Sequence, residues 1–225
     1  MVQDIGGNLE RVRERVARAA ERAGRRADDV LLIGVSKTVD VARIRQALAA
    51  GVPALGENRV QEARTKIDLL GRPVPWHLIG HLQTNKVKDA LGLFDVIHSL
   101  DRIDLARECD RRARAQGRTV DVLLQVNVGG EASKGGWAPE AVETAFDVIG
   151  SLAGVRVRGL MTIPPPVERP ADARGWFRTL RALAVKQGLR ELSMGMSADY
   201  EVAIEEGATM VRVGTAIFGP RERTE

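Results

Sequence analysis

Strand-like and helix-like patterns alternate about eight times along this chain, with short connections, and that order leaves few folds open. An amphipathic helix comes first. Ile5, Leu9, Val12, Val16 and Ala19-Ala20 recur at spacings of three or four, opposite an arginine-rich face. Short apolar runs then follow at 30–35, 54–56, 76–79, 94–97, 120–126, 155–161, 191–194 and 210–213. Helical periods lie between them at 41–50, 60–70, 85–91, 101–116, 139–152, 172–187 and 199–206, with Asp101 placed to cap the fourth of these. Strands and helices in strict alternation make a parallel sheet. Eight such units in 225 residues predict a closed (β/α)8 barrel, a TIM-type fold of usual size roughly 250 residues, carrying an extra N-terminal helix. A doubly wound open sheet is the alternative. No linker or low-complexity stretch interrupts residues 1–225, which read as a single domain. Glycine and polar residues gather after the strands, which predicts one active face.

The first strand runs VLLIGV straight into Ser36-Lys37-Thr38. A lysine there has either reached solvent at the strand edge, or stands where α/β proteins place their chemistry. A partly desolvated lysine loses its proton more easily and can form a Schiff base with an aldehyde. The last two strands end in Gly195-Met196-Ser197 and Gly214-Thr215. Small-residue turns at those places make either tight turns or a phosphate cup with Ser197 and Thr215 as donors. Arg212 interrupts the last apolar strand, and alternation does not settle whether it points into the barrel. A lysine after strand one and a cup after strands seven and eight become neighbours once a barrel closes. An aldehyde and a phosphate on one small molecule bring pyridoxal phosphate within the candidates.

Other chemistries find less support. His77, His81 and His98 lack metal-ligand spacing with an acid or cysteine, so no metal is expected. No nucleophilic triad, Walker loop or GxGxxG fingerprint is present. Lys134, in a glycine-rich loop, reads as a solvated lysine. The lone Cys109 rules out an internal disulfide, fits a reducing cytoplasm, and reads as a surface or half-buried structural thiol. A net charge of +4 permits nucleic-acid contact without arguing for it, and the few scattered aromatics offer no stacking platform. No apolar run is long enough to span a membrane, and the N-terminus does not read as a secretory signal.

The local sequences then add a resemblance. Val35-Ser36-Lys37-Thr38, the run Gly56-Glu57-Asn58-Arg59-Val60-Gln61-Glu62 and Trp76-His77-Leu78-Ile79-Gly80-His81-Leu82-Gln83-Thr84-Asn85-Lys86 are joined by His98-Ser99-Leu100-Asp101 and Gln125-Val126-Asn127. Gly159-Leu160-Met161-Thr162, the stretch 192–199 and Val211-Arg212-Val213-Gly214-Thr215 complete the set. This combination closely resembles the pyridoxal phosphate homeostasis protein family, also called the proline synthase co-transcribed family. The resemblance implies a barrel like the N-terminal domain of alanine racemase and an internal Schiff base on Lys37. It implies phosphate contacts from Ser197, Gly214 and Thr215, Arg212 at the cofactor, and Asn58 and Met161 among the cofactor-binding residues. It also implies a protein, expected to be monomeric, that carries or buffers pyridoxal 5'-phosphate, with pyridoxal-phosphate-dependent apo-enzymes as its partners and an effect on amino-acid and keto-acid balance. Two departures lie at the rim: Val39-Asp40 stand where the family usually continues Lys-Pro, and the loop reads Lys134-Gly135-Gly136-Trp137 instead of Lys-Ser-Gly.

A pyridoxal-phosphate-dependent amino-acid racemase is the rival reading. It needs acid–base groups on both faces of the substrate. The resemblance to alanine racemase places a tyrosine from a further domain on the second face. Here the barrel pattern runs to Phe218-Gly219, and the one tyrosine, Tyr200, does not match it. The sequence is therefore read as a cofactor-binding protein without turnover.

Overall fold

Eight parallel strands close on themselves in sequence order in the computed structural model, which describes residues 4–131 and 134–220. Residues 1–3, 132–133 and 221–225 of the expected domain lie outside the described residues. The strands are β1 (Leu31–Val35), β2 (Ala54–Glu57), β3 (Trp76–Leu78), β4 (Val96–Leu100), β5 (Val120–Gln125), β6 (Val155–Met161), β7 (Glu191–Met196) and β8 (Met210–Val213). Ring closure is made between β1 and β8, with Leu32 opposite Val211 and Ile33 opposite Arg212. The closed barrel replaces the open-sheet alternative.

The helices are α1 (Ile5–Arg22), α2 (Val41–Ala49), α3 (Val60–Leu70), α4 (Val87–Leu93), α5 (Ile103–Ala115), α6 (Val142–Gly150), α7 (Arg174–Lys186), α8 (Tyr200–Glu205) and α9 (Thr215–Phe218). Asp4 opens α1 by accepting the Gly7 N–H at 2.8 Å, a cap that satisfies one free amide of the first turn. The helix after β8 has four residues. The extra helix α1 packs against α2, α8 and α9, and so covers the seam that α9 is too short to cover. Its Ile5, Leu9, Val12, Val16, Ala19 and Ala20 are all buried there. Apolar side chains pack in two regions: a continuous layer between strands and helices, and a small cluster of Ile33, Ala54, Leu123, Met161 and Met210 inside the barrel.

Several expectations are corrected. Residues 98–100, expected after the fourth strand, belong to it, and the seventh strand runs on through Gly195 to Met196. Asp101 does not cap α5: its carboxylate accepts from Arg102 Nη1 at 2.7 Å and lies 3.3 Å from His81 Nδ1. Cys109 is fully buried, and burial pushes its thiol up to about 12. Among the described residues, no helix is long and apolar enough to cross a membrane.

Candidate functional site

A cavity of about 740 Å³ opens where the strands end, and Lys37, Asn58, Ser197, Arg212, Gly214 and Thr215 all line it. Val35, Ile79, Ile163 and Met196 supply apolar wall. Thus six of the seven sequence-predicted site residues meet in one place, although they come from both ends of the chain. Met161 is the exception. It is fully buried in the cluster inside the barrel and does not line the cavity.

Lys37 rides on a turn closed by the Val39 N–H on the Ser36 carbonyl at 3.0 Å. Thr38 sits at φ +61°, the one non-glycine residue with positive φ among the described residues. A β-branched residue adopts that conformation only under constraint. The constraint is visible. Glu62 Oε1 accepts the Thr38 N–H at 2.6 Å, and Lys66 Nζ, itself buried, donates to Glu62 Oε1 at 2.6 Å. Lys66 also reaches the Ser36 carbonyl at 2.6 Å and Glu57 Oε1 at 2.7 Å, while Ser36 Oγ donates to the same Glu57 oxygen at 2.6 Å. Burial pushes the Glu57 carboxyl up, against the nearby Lys66 charge. Burial also acts to raise Glu62, but the Lys66 and Thr38 hydrogen bonds outweigh it and hold that carboxyl below its ordinary range. The sequence reading did not find this network. Its one available signal was an acid, Glu57, at the end of an apolar strand.

The cup is formed by close approach. Gly195, at φ +91°, passes so near α8 that an added Cβ would lie 2.5 Å from Ala203 Cβ. Asp199 then accepts the Met196 N–H at 2.7 Å and fixes the turn. Gly214 opens α9, and its N–H meets Ser197 Oγ at 3.3 Å. That is a long bond, which an anion seated between the two turns can replace.

Arg212 points inward and is buried. Nη1 donates to Ser193 Oγ at 2.5 Å and Nη2 to the Thr162 carbonyl at 2.7 Å. Burial brings its guanidinium down to about 10, with Asp199 opposing, so it stays a cation at neutral pH. His81 lines the cavity too, whereas His77 and His98 are buried beneath it. Among the described residues, no group of three or more His, Cys, Asp or Glu side chains could hold a metal ion. Lys134 is half-buried, paired with Glu131 at 2.5 Å and donating to the Pro164 carbonyl at 3.2 Å, rather than freely solvated.

Fold and site together define a parallel barrel with a lysine-bearing cavity at its carboxyl end, facing small-residue turns. The sequence pattern of the family described as alanine racemase, N-terminal domain, matches residues 7–222. The chain is 50% identical over 221 residues to the pyridoxal phosphate homeostasis protein of Aquifex aeolicus (strain VF5), covering 95% of this chain and 97% of that one. PipY of Synechococcus elongatus PCC7942, in a structure described as having PLP bound, is 39% identical with a TM-score of 0.84, covering 96% of this chain and 100% of that one. Alanine racemase of Clostridium difficile 630 shares the fold, with a TM-score of 0.75 at 15% identity over 98% of this chain and 58% of the racemase. The chain belongs to the pyridoxal phosphate homeostasis protein family, built on the alanine racemase N-terminal barrel.

Proposed function

We propose that this chain binds pyridoxal 5'-phosphate, holds it as a Schiff base on Lys37, and serves vitamin B6 homeostasis rather than substrate turnover. One observation carries the reading: Lys37 shares a cavity with Ser197, Gly214 and Thr215. An amine to take an aldehyde and hydroxyl and N–H groups to take a phosphate are the two ends that such a ligand requires. The residues fit it. The cavity has apolar wall for a ring and a constrained turn under the amine, and its two turns are joined by a long, replaceable hydrogen bond. The name of the Aquifex relative and the PLP-bound structure of PipY support the same ligand.

The cofactor, when bound, supplies an aldehyde and an electron-withdrawing ring. In this reading Lys37 Nζ provides the amine, Glu62 and Lys66 hold its turn, and Ser197, Gly214 and Thr215 take the phosphate. Asn58 and Arg212, which line the cavity, would help to hold the cofactor, while Met161 packs inside the barrel. The chain acts as one cytoplasmic, monomeric domain that buffers the cofactor or passes it to apo-enzymes, and so affects amino-acid and keto-acid balance.

The test is a visible spectrum of the purified protein before and after borohydride reduction, followed by peptide mapping. The pyridoxyl group is expected on Lys37; finding it on Lys134 or another lysine instead overturns the assignment. Pyridoxal without its phosphate should bind more weakly, since each lost charge-assisted hydrogen bond is worth roughly 1.5–3 kcal/mol. Equal affinity for the two aldehydes would remove the cup from the proposal.

A further inference from the structure

The lumen of a (β/α)8 barrel is ordinarily filled by branched apolar side chains. Here a file of polar groups crosses it. Arg212 Nη1 donates to Ser193 Oγ at 2.5 Å, Ser193 Oγ lies 2.9 Å from His98 Nδ1, and His98 Nε2 lies 2.8 Å from His77 Nδ1. These residues stand on β8, β7, β4 and β3. Since β4 and β7 are not neighbours in the ring, the contact between His98 and Ser193 must bridge the lumen. All four residues are buried.

The direction of every bond in the file follows from its first member. A guanidinium has donors and no acceptor. Ser193 Oγ therefore accepts from Arg212; it has a second lone pair, but among the described residues its own hydrogen has no acceptor other than His98 Nδ1, and is placed there. That nitrogen then carries no proton, so the proton of neutral His98 sits on Nε2 and is donated to His77 Nδ1. His77 in turn keeps its proton on Nε2. Burial, then the repulsion that a protonated His77 and the Arg212 guanidinium would add, holds His98 well below 6.5 and favours its neutral ring. Burial holds His77 at about 4, with Asp95 opposing.

Among the described residues no carboxylate makes an ion pair with Arg212; its two partners are the Ser193 hydroxyl and the Thr162 carbonyl. A directly paired carboxylate would cancel much of the charge, whereas neutral acceptors hold the group in place; the Asp199 carboxylate acts on it only through space. We propose that Ser193 and His98 are positioning residues, whose one-way hydrogen-bond chain fixes the Arg212 guanidinium as a cation at the wall of the lysine-bearing cavity for a phosphorylated pyridine aldehyde. This rests on the reading of that cavity as the pyridoxal phosphate site.

Two measurements test it. In the ligand-free protein with 15N-labelled histidine, long-range proton–nitrogen spectra at pH 7 should show both His77 and His98 neutral and protonated on Nε2. Ser193→Ala should move the His98 Nδ1 resonance and Ser193→Thr should restore it. In titrations followed by visible absorption, Ser193→Ala should weaken pyridoxal phosphate binding by about tenfold, the equivalent of one hydrogen bond, and Ser193→Thr should bind like the parent. A protonated Nδ1 or an imidazolium at His98 overturns the chain. A folded Ser193→Ala protein with unchanged affinity overturns the positioning role. If the parent itself does not bind pyridoxal phosphate, the cofactor reading and the positioning role fall together, and the tautomers still decide the direction of the chain.

Discussion

Lys66 spends its ammonium on three acceptors at once: the Ser36 carbonyl, Glu57 and Glu62. Removing one partner of a buried ion pair leaves the other charge uncompensated in a poor solvent, at a cost of roughly 3–5 kcal/mol. Lys66→Met should therefore lose about that much stability in urea unfolding at pH 7, and adding Glu57→Gln should recover much of it. Unchanged stability of the single variant would show that the network does not hold the turn. His77 gives a pH dependence of known sign. Its folded-state value of about 4 lies below the ordinary 6.5, so the unfolded chain binds the proton more tightly. The stability linked to this group is whole above pH 6.5 and is lost as pH falls toward 4, to a total of roughly 3 kcal/mol. Urea midpoints between pH 7 and 4.5 should fall less steeply for His77→Gln than for the parent, and equal slopes would rule out this linkage.

At the scale of elements, α1 occupies the place that the four-residue α9 leaves open, sealing the barrel between α8 and α2. Leu9 is fully buried in that contact. Truncating it to alanine removes buried methyl groups and leaves a cavity, so Leu9→Ala should cost roughly 2–5 kcal/mol in a chemical unfolding titration. A loss below 0.5 kcal/mol, the range typical of surface changes, would mean that α1 is peripheral. The helix itself was legible because its apolar residues keep one period on one face. The ends of β4 and β7 were not. β4 carries His98 turned into the lumen, β7 continues through Gly195 at φ +91°, and each pairs through a register irregularity, so the apolar run breaks before the strand does. The same limit hid the direction of Arg212, since a strand covered on both faces gives alternation no polar side to point to. That Lys37, Ser197, Gly214 and Thr215 meet at one cavity was legible for the opposite reason: a lysine and small turn residues at strand ends stand out from the apolar runs before them. Glu57, Lys66 and Glu62 were not, because in sequence they look like ordinary charges of a helix and its approach.

For the whole molecule the question is whether a barrel proposed to hold a reactive aldehyde would also turn amino acids over. Racemisation requires a proton donor and acceptor on opposite faces of the substrate carbon. Lys37 lines the cavity and would supply one such group. Tyr200, the one tyrosine of the chain, is buried on α8, has the Arg15 guanidinium 5.3 Å from its ring, and is not among the residues lining the cavity. In the proposed complex Arg212 would weigh on the same side where its guanidinium stands beside the pyridine nitrogen; reaching the phosphate instead, it would aid binding without touching the electron sink. A fixed cation beside a pyridine nitrogen opposes protonation of that nitrogen, and a neutral ring withdraws electrons less effectively. We expect the loaded protein, incubated with L-alanine and other amino acids in deuterated water, to show very slow or no exchange at the α-carbon by NMR. Exchange at rates ordinary for enzymes, about 1–1000 per second, would replace the binding protein with a racemase and require a second-face acid–base group other than Tyr200.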